Sequence, residues 1–147
     1  MYRDKYFEEY ELGAEQISYG RTITEADFVI HGGQIGDFYP HHMNEDWCKD
    51  REFKRRIAHG TLVFSIGIGL SVIEINPLIL YSIGFEHIRF RKPVFIGDTL
   101  YARVLLKDKK VNPLREKTGV ITEYVELINQ DKEIVMTCEH VMVVNSR

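Results

Sequence analysis

Residues 61–73 contain no charged side chain, and this feature restricts the possible folds more than any other in the chain. Apolar side chains would point in almost every direction around a helix built from this segment, so no face of that helix suits contact with water. The segment is also too short to span a membrane, which requires ~20 apolar residues, and Glu74 and Pro77 follow it. The pattern therefore predicts a central helix that a sheet wraps around and buries on most sides.

The chain after Pro77 has the composition and alternation of β-strands. Residues 81–91 are rich in β-branched and aromatic side chains, residues 100–107 and 133–144 alternate between apolar and polar types, and residues 118–128 make another strand. Strands that come late, after helices that come early, predict an α+β fold in which an antiparallel meander curls around the central helix. An open edge of such a sheet would favour pairing with a second copy of the chain.

The first half of the chain predicts one strand and two helices ahead of the central one. Residues 15–23 favour a first strand, and Thr24 is expected to begin a helix that stops at Gly32 and Gly33. His31 would then lie on the surface of that helix. Asn44 is a plausible N-cap for a second helix.

Length, charge and cysteine content exclude several classes of protein. A chain of 147 residues with 44% apolar residues fits one domain, residues 1–147. A net charge of −3 provides no general basic surface for nucleic acid, and the N-terminus lacks the apolar run of a secretory signal. Cys48 and Cys138 match neither a metal spacing nor a disulfide framework. We therefore expect a cytoplasmic protein without nucleic-acid or membrane partners.

A segment just ahead of the central helix carries the best candidates for chemistry. Asp37 and His42 are five residues apart with Pro40 between them, and proline makes this a stiff loop that can aim both side chains at one point. A carboxylate and an imidazole that share one water can transfer protons near neutral pH. On spacing alone, a structural loop and a catalytic loop fit this pattern equally well.

Other reactive arrangements have weaker support. The six histidines include no His-Glu-x-x-His pattern, and the adjacent His41 and His42 would tend to point apart, so we expect no metal site. His140 occupies an apolar strand face, where a hydrogen-bonded core histidine is the expected state. There is no Gly-x-Ser-x-Gly elbow. We therefore expect no metal and no redox cofactor.

Three separated motifs resemble those of the MaoC-like dehydratases, the family of the R-specific enoyl-CoA hydratases. They occur in the family's order, and the likeness extends over nearly the whole chain, beginning near Tyr6. The motifs are Gly36-Asp37-Phe38-Tyr39-Pro40-His41-His42, Ile57-Ala58-His59-Gly60-Thr61-Leu62, and Arg91-Lys92-Pro93-Val94-Phe95-Ile96-Gly97-Asp98-Thr99-Leu100.

The resemblance implies a hotdog fold and assigns roles to individual residues. Asp37 and His42 fall on the family's catalytic acid and histidine. Gly60 falls on the residue whose backbone N–H meets the thioester carbonyl, and His59 on the histidine that shapes this corner. The family also implies a homodimer or a multiple of dimers, with the site at or near the subunit interface.

The implied reaction is the reversible hydration of a trans-2-enoyl thioester to a 3-hydroxyacyl thioester. Coenzyme A or acyl carrier protein would enter as part of the substrate, with Tyr39 and Pro40 in the substrate-binding segment. Tyr39 stands where many members of the family have asparagine. We expect the phosphates of coenzyme A to lie near Arg89, Arg91 and Lys92, or near residues 54–56. Two alternatives stay open: a hotdog acyl-CoA thioesterase, and a non-catalytic subunit that binds acyl thioesters.

Overall fold

The computed structural model describes residues 2–147 and contains four helices and six strands. A 3₁₀ turn at Phe7–Glu9 comes first, before the strands and helices. These are β1 (Glu15–Ile17), β2 (Arg21–Thr22), α1 (Glu25–Ile35), α2 (Pro40–Met43), α3 (Glu45–Cys48), α4 (Gly60–Ser71), β3 (Ile79–Phe90), β4 (Thr99–Val111), β5 (Thr118–Ile128) and β6 (Ile134–Asn145). The α+β expectation is thereby confirmed.

The four long strands form an antiparallel sheet in the order β4-β5-β6-β3, with β1 paired to the outer side of β4. The short β2 also pairs with β4, near its start. Turns at residues 112–117 and 129–133 join consecutive strands, which gives the predicted meander. Strand β3 comes before β4 in the chain but pairs with β6. It therefore lies at the end of the sheet opposite β1.

Helix α4 packs against the inner face of this sheet, and their contact forms the main core. Its buried side chains interlock with alternate residues of β4, β5 and β6. At Gly67 an added Cβ atom would lie 2.8 Å from the Cε atom of Met136, so a larger residue would force the end of that side chain to move. The main buried residues are Leu62, Val63, Ile66 and Leu70 of α4, and Leu100, Ala102, Val104, Val125, Leu127, Met136 and Cys138 of the sheet.

Three expectations about the elements need correction. The predicted first strand is two short strands, β1 and β2. Helix α1 does not stop at Gly32 and Gly33 but continues to Ile35, because Gly32 packs against Met43 and the left-handed backbone that ends the helix is adopted by Gly36. The loop predicted from Asp37 to His42 is in part helical, because Pro40 begins α2 and His42 lies within that helix.

Among residues 2–147, no helix combines the length and the apolar character that crossing a bilayer requires.

Candidate active site

The loop between α1 and α2 holds Asp37 in a defined position. Gly36 turns the chain out of α1 with a φ of 74°, and the Asp37 carboxylate then accepts a hydrogen bond of 3.1 Å from the Tyr39 backbone N–H. Pro40 is the first residue of α2, where its missing N–H does no harm. Tyr39 and the Asp37 carboxylate remain open to solvent, so the acid can meet a ligand.

His42 lies in α2, and a main-chain contact fixes the orientation of its ring. The Nδ1 atom is 2.7 Å from the carbonyl oxygen of Ile57, which can only accept, so Nδ1 carries the hydrogen. The Nε2 atom of the neutral ring then keeps its lone pair. Burial lowers the pKa of His42, and His59 adds to this effect, whereas the Ile57 carbonyl and Asp37 act in the opposite direction. His42 therefore suits the role of a base near neutral pH.

His59 and Gly60 form the corner at the start of α4. His59 is the N-cap residue and is only 2% exposed, and its Nε2 donates a 2.9 Å hydrogen bond to the main-chain oxygen of Asp37. Its ring stacks on that of His42, with centroids 3.9 Å apart. These contacts bring the Asp37 loop and α2 against the beginning of α4.

Gly60 is the first residue of α4, and backbone N–H groups in a first helical turn have no partner within the helix. A Cβ atom added at Gly60 would lie 3.0 Å from two atoms of the Phe90 ring, so a larger residue would crowd this corner. The positive end of the helix dipole adds to the attraction for a negatively charged oxygen.

A cavity of about 370 Å³ opens beside this corner. It lies between the start of α4 and the end of β3. Apolar side chains make up much of its wall, and two cations stand at its edge, which suits a ligand with an acyl part and a charged part. The lining residues include His42, Gly60, Val63, Phe90, Arg91 and Lys92.

Asp37, His42 and His59 each contribute one polar atom to a group whose members all lie within 4.8 Å of one another. Two hydrogen bonds of ~2.8 Å from one water to two partners span roughly 4.5–5 Å at a tetrahedral angle. A single water can therefore bridge the carboxylate and the imidazole.

The same three residues resemble a set of metal ligands, but the ring geometry is poorly suited to one. The planes of His42 and His59 are only 27° from parallel, so lone pairs in those planes do not converge on one ion. One nitrogen of each ring is already engaged by a main-chain carbonyl. The arrangement is better suited to holding a water.

The structure gives the other candidate histidines and the two cysteines no part in the cluster of Asp37, His42 and His59. The ring of His41 points away from the cluster and packs edge-on against Trp47, with centroids 4.7 Å apart. His140 is a buried core histidine whose Nε2 lies 2.6 Å from the Ser82 hydroxyl, as expected. Cys48 and Cys138 are buried, and burial raises the pKa of both thiols, so neither is an activated nucleophile.

His31 lies on the partly exposed surface of α1, as expected, and makes a contact that the sequence did not indicate. Its ring is half-buried, and its Nε2 lies 2.8 Å from the hydroxyl of Thr61 in the first turn of α4. Its ring centroid is 5.3 Å from that of His59, so three imidazoles lie in a row, and His42 at one end of the row lines the cavity. No spacing in the sequence indicates this contact, because the two partners are thirty residues apart.

The basic residues expected near the phosphates of coenzyme A also differ in their surroundings. Arg56 is bound between Glu25 and Glu45, and Arg55 covers the ring of Phe95 at 3.6 Å from its centroid. By contrast, Arg91 and Lys92 border the cavity, although Lys92 also pairs with Glu133. The two cations at the cavity edge are thus better placed than residues 54–56.

Comparison with protein families and known sequences identifies relatives over most of the chain. Residues 10–130 match the family model described as MaoC like domain. Protein MaoC of Klebsiella aerogenes is 37% identical over 112 residues, which cover 76% of this chain but only 33% of that protein. The (R)-specific enoyl-CoA hydratase of Rhodospirillum rubrum is 37% identical over 127 residues, which cover 82% of this chain and 85% of that enzyme.

Solved structures share the architecture. A monoamine oxidase regulatory protein from Archaeoglobus superposes with a TM-score of 0.91 at 32% identity, and the match covers 98% of this chain and 96% of that one. A conserved hypothetical protein from Mycobacterium tuberculosis with a double hotdog fold gives a TM-score of 0.85 at 20% identity, covering 98% of this chain and 45% of that one. The expected hotdog fold is thereby confirmed.

Proposed function

Because the chain belongs to the family of MaoC-like domains, we propose that it is a hydro-lyase that reversibly hydrates a trans-2-enoyl thioester. The observation that carries this proposal is the convergence of Asp37 and His42 beside Gly60, at the edge of a cavity that can take an acyl group. The relative from Rhodospirillum rubrum that is named as an (R)-specific enoyl-CoA hydratase supports the same reaction.

In the hydration direction, Asp37 and His42 hold one water between them. As the water oxygen attacks C3, one of the two side chains takes a proton from it, and a proton is returned to C2. The water is thereby added across the double bond as a hydroxyl on C3 and a hydrogen on C2. In the reverse direction the same groups remove the C2 proton and protonate the departing hydroxyl.

Negative charge develops on the thioester oxygen while C3 is attacked. The Gly60 N–H at the start of α4 is placed to donate to that oxygen, aided by the helix dipole. Proton transfer and oxyanion stabilisation suffice for this reaction, so the proposal includes no metal and no redox cofactor. Coenzyme A or acyl carrier protein takes part only as the carrier of the acyl group.

The test is a panel of trans-2-enoyl-CoA and saturated acyl-CoA substrates with two readouts. Loss of ultraviolet absorbance from the conjugated thioester reports hydration, and release of free thiol reports hydrolysis. We expect loss of conjugation without thiol release. Thiol release from saturated acyl-CoA would instead favour a thioesterase, and binding without either change would indicate a non-catalytic subunit.

A further inference from the structure

His59 contacts both proposed catalytic residues from a buried position. Its Nε2 donates to the main-chain oxygen of Asp37, and its ring stacks on the ring of His42. Only 2% of its surface is exposed, so it does not itself reach into the cavity. It is therefore placed to act on the reaction through Asp37 and His42 and not on the substrate.

The second nitrogen of His59 has no hydrogen-bond partner among residues 2–147. Nε2 carries the hydrogen because a carbonyl oxygen can only accept, and Nδ1 is buried. A buried polar atom without a partner destabilises a fold. A phenylalanine would fill the same space without this penalty, but it would leave the Asp37 carbonyl without its donor.

His31 lies on the other side of His59. Its ring is tilted by 60° to that of His59, and its Nε2 is bound to the hydroxyl of Thr61. Because His31 belongs to α1 and Thr61 to the first turn of α4, this bond joins the helix before Asp37 to the helix that carries Gly60. His59 is thus enclosed between a ring from α1 and a ring from α2.

We propose that His59 is a positioning residue that fixes Asp37 and His42 relative to each other and to Gly60, with His31 supporting its far side. The expected effect of His59 on catalysis rests on the proposed function. Its effect on the positions of Asp37 and His42 does not. The hydrogen bond from His59 to the main-chain oxygen of Asp37 fixes the position of the backbone at Asp37. The stacking contact fixes the plane of the His42 ring.

The electrostatic surroundings agree with this role. The titratable groups that influence the pKa of His42 are His59, Asp37 and His41, beside the carbonyl of Ile57. Burial is the main cause that lowers the pKa of His42, and His59 contributes to it both by covering one face of the ring and by its own potential charge. Replacing His59 with a smaller polar side chain should therefore raise the pKa of His42.

Two substitutions separate the hydrogen bond from the stacking contact. His59→Phe keeps a ring against His42 but loses the donor to Asp37, whereas His59→Gln keeps an N–H donor but loses the ring. For His59→Phe we expect kcat to fall at least ~10-fold, because small displacements of catalytic groups reduce rates strongly. KM should change by less than ~2-fold, and circular dichroism should show that the variant remains folded.

For His59→Gln we expect the titration of the His42 ring, followed by NMR in the substrate-free protein, to move to higher pH. His41→Gln is the matched control, and it should leave kcat near the wild-type value. Wild-type kcat in both His59 variants with an unchanged His42 titration would overturn the inference. If circular dichroism shows that neither variant folds, His31→Gln decides instead: a several-fold loss of kcat supports the proposal, and wild-type kcat contradicts it.

The design also distinguishes this inference from the proposed function. If the wild-type protein hydrates no enoyl thioester, the proposed function fails, while the NMR titration of His42 still tests whether His59 controls that ring. An unchanged His42 titration in folded His59→Gln would then reject the inference on its own.

Discussion

The Nδ1 atom of His42 lies 2.7 Å from the carbonyl oxygen of Ile57, and this contact determines which nitrogen of the ring stays free. With Nδ1 donating, the lone pair of Nε2 is available to a water shared with Asp37. His42 belongs to α2 and Ile57 to the segment just before α4. The packing of these two elements therefore determines which ring nitrogen of His42 carries the hydrogen.

The first prediction concerns the shared water. Asp37→Asn or His42→Ala should each lower kcat by ~10²–10⁴, because a proton relay needs both members. The double variant should be scarcely slower than either single one. His41→Ala should keep most activity, since its ring packs on Trp47. Full activity in all three single variants would show that this loop is not the catalytic site.

The second prediction is an acid limb in the pH dependence of kcat/KM. A lowered pKa means that His42 stays unprotonated to pH values below its ordinary 6.5, so activity should persist there and fall only on further acidification. The sign for stability agrees: the folded state disfavours the charged ring, so protonation of His42 at low pH favours unfolding. A limb centred above pH 7 would contradict this assignment.

The third prediction concerns the cations at the cavity edge. Arg91→Ala and Lys92→Ala should each raise KM for coenzyme A thioesters up to about tenfold, from the loss of a charge-assisted contact worth ~1.5 kcal/mol. KM for pantetheine thioesters, which lack the nucleotide phosphates, should not change. Lys110→Ala, on an exposed lysine of β4, is the control. An equal increase in KM for coenzyme A thioesters and for pantetheine thioesters would show that these residues do not bind the phosphates.

The fourth prediction concerns Glu123, which lies opposite His140 in the β5–β6 pair and lines a cavity at the far end of α4. Burial raises its pKa from 4.5 to about 7, against the opposing charge of Lys5. The contribution of Glu123 to the free energy of unfolding is therefore fully present below pH 4.5, and it is lost as the pH rises to about 7.

Glu123→Gln should remove that loss and raise the free energy of unfolding at pH 8, by an upper bound on the order of 3 kcal/mol. Denaturant titrations at pH 5 and pH 8 measure the difference. Glu126→Gln is the opposite control: its carboxylate accepts a 2.7 Å bond from Arg103, so this variant should be destabilised by ~1 kcal/mol. A Glu123 variant that is less stable at pH 8 would show that the buried carboxyl is satisfied in its ionised form.

The fifth prediction is self-association through β3. Within residues 2–147 this strand pairs only with β6, so its other edge is open, and Tyr81, Ile83 and Phe90 are exposed along it. We expect a dimer, or a multiple of dimers, in sedimentation experiments at micromolar concentration. Ile83→Lys should shift the protein towards monomer, whereas Leu114→Lys, on a fully exposed turn, should not. A monomeric wild-type protein would contradict the prediction.

Local pattern was sufficient for the elements that build the core. The strand predicted over residues 118–128 matches β5, and the one over 133–144 differs from β6 by a single residue at each end. Both succeed because one face of each strand is turned towards α4, which favours apolar residues at most alternate positions. The end of α1 was mistaken because a glycine can stay helical when a neighbour packs against it, as Met43 does against Gly32.

The residues themselves specify a buried helix, a meander of strands, and a segment in which proline restrains the chain between an acid and a histidine. Each of these follows from backbone preferences and apolar spacing within a few residues of the chain. The tertiary structure alone determines that His59 stacks on His42, that it binds the main chain at Asp37, and that His31 reaches Thr61. These contacts join residues 17 to 30 positions apart, so no local pattern records them; they form only when α1, α2 and α4 pack together.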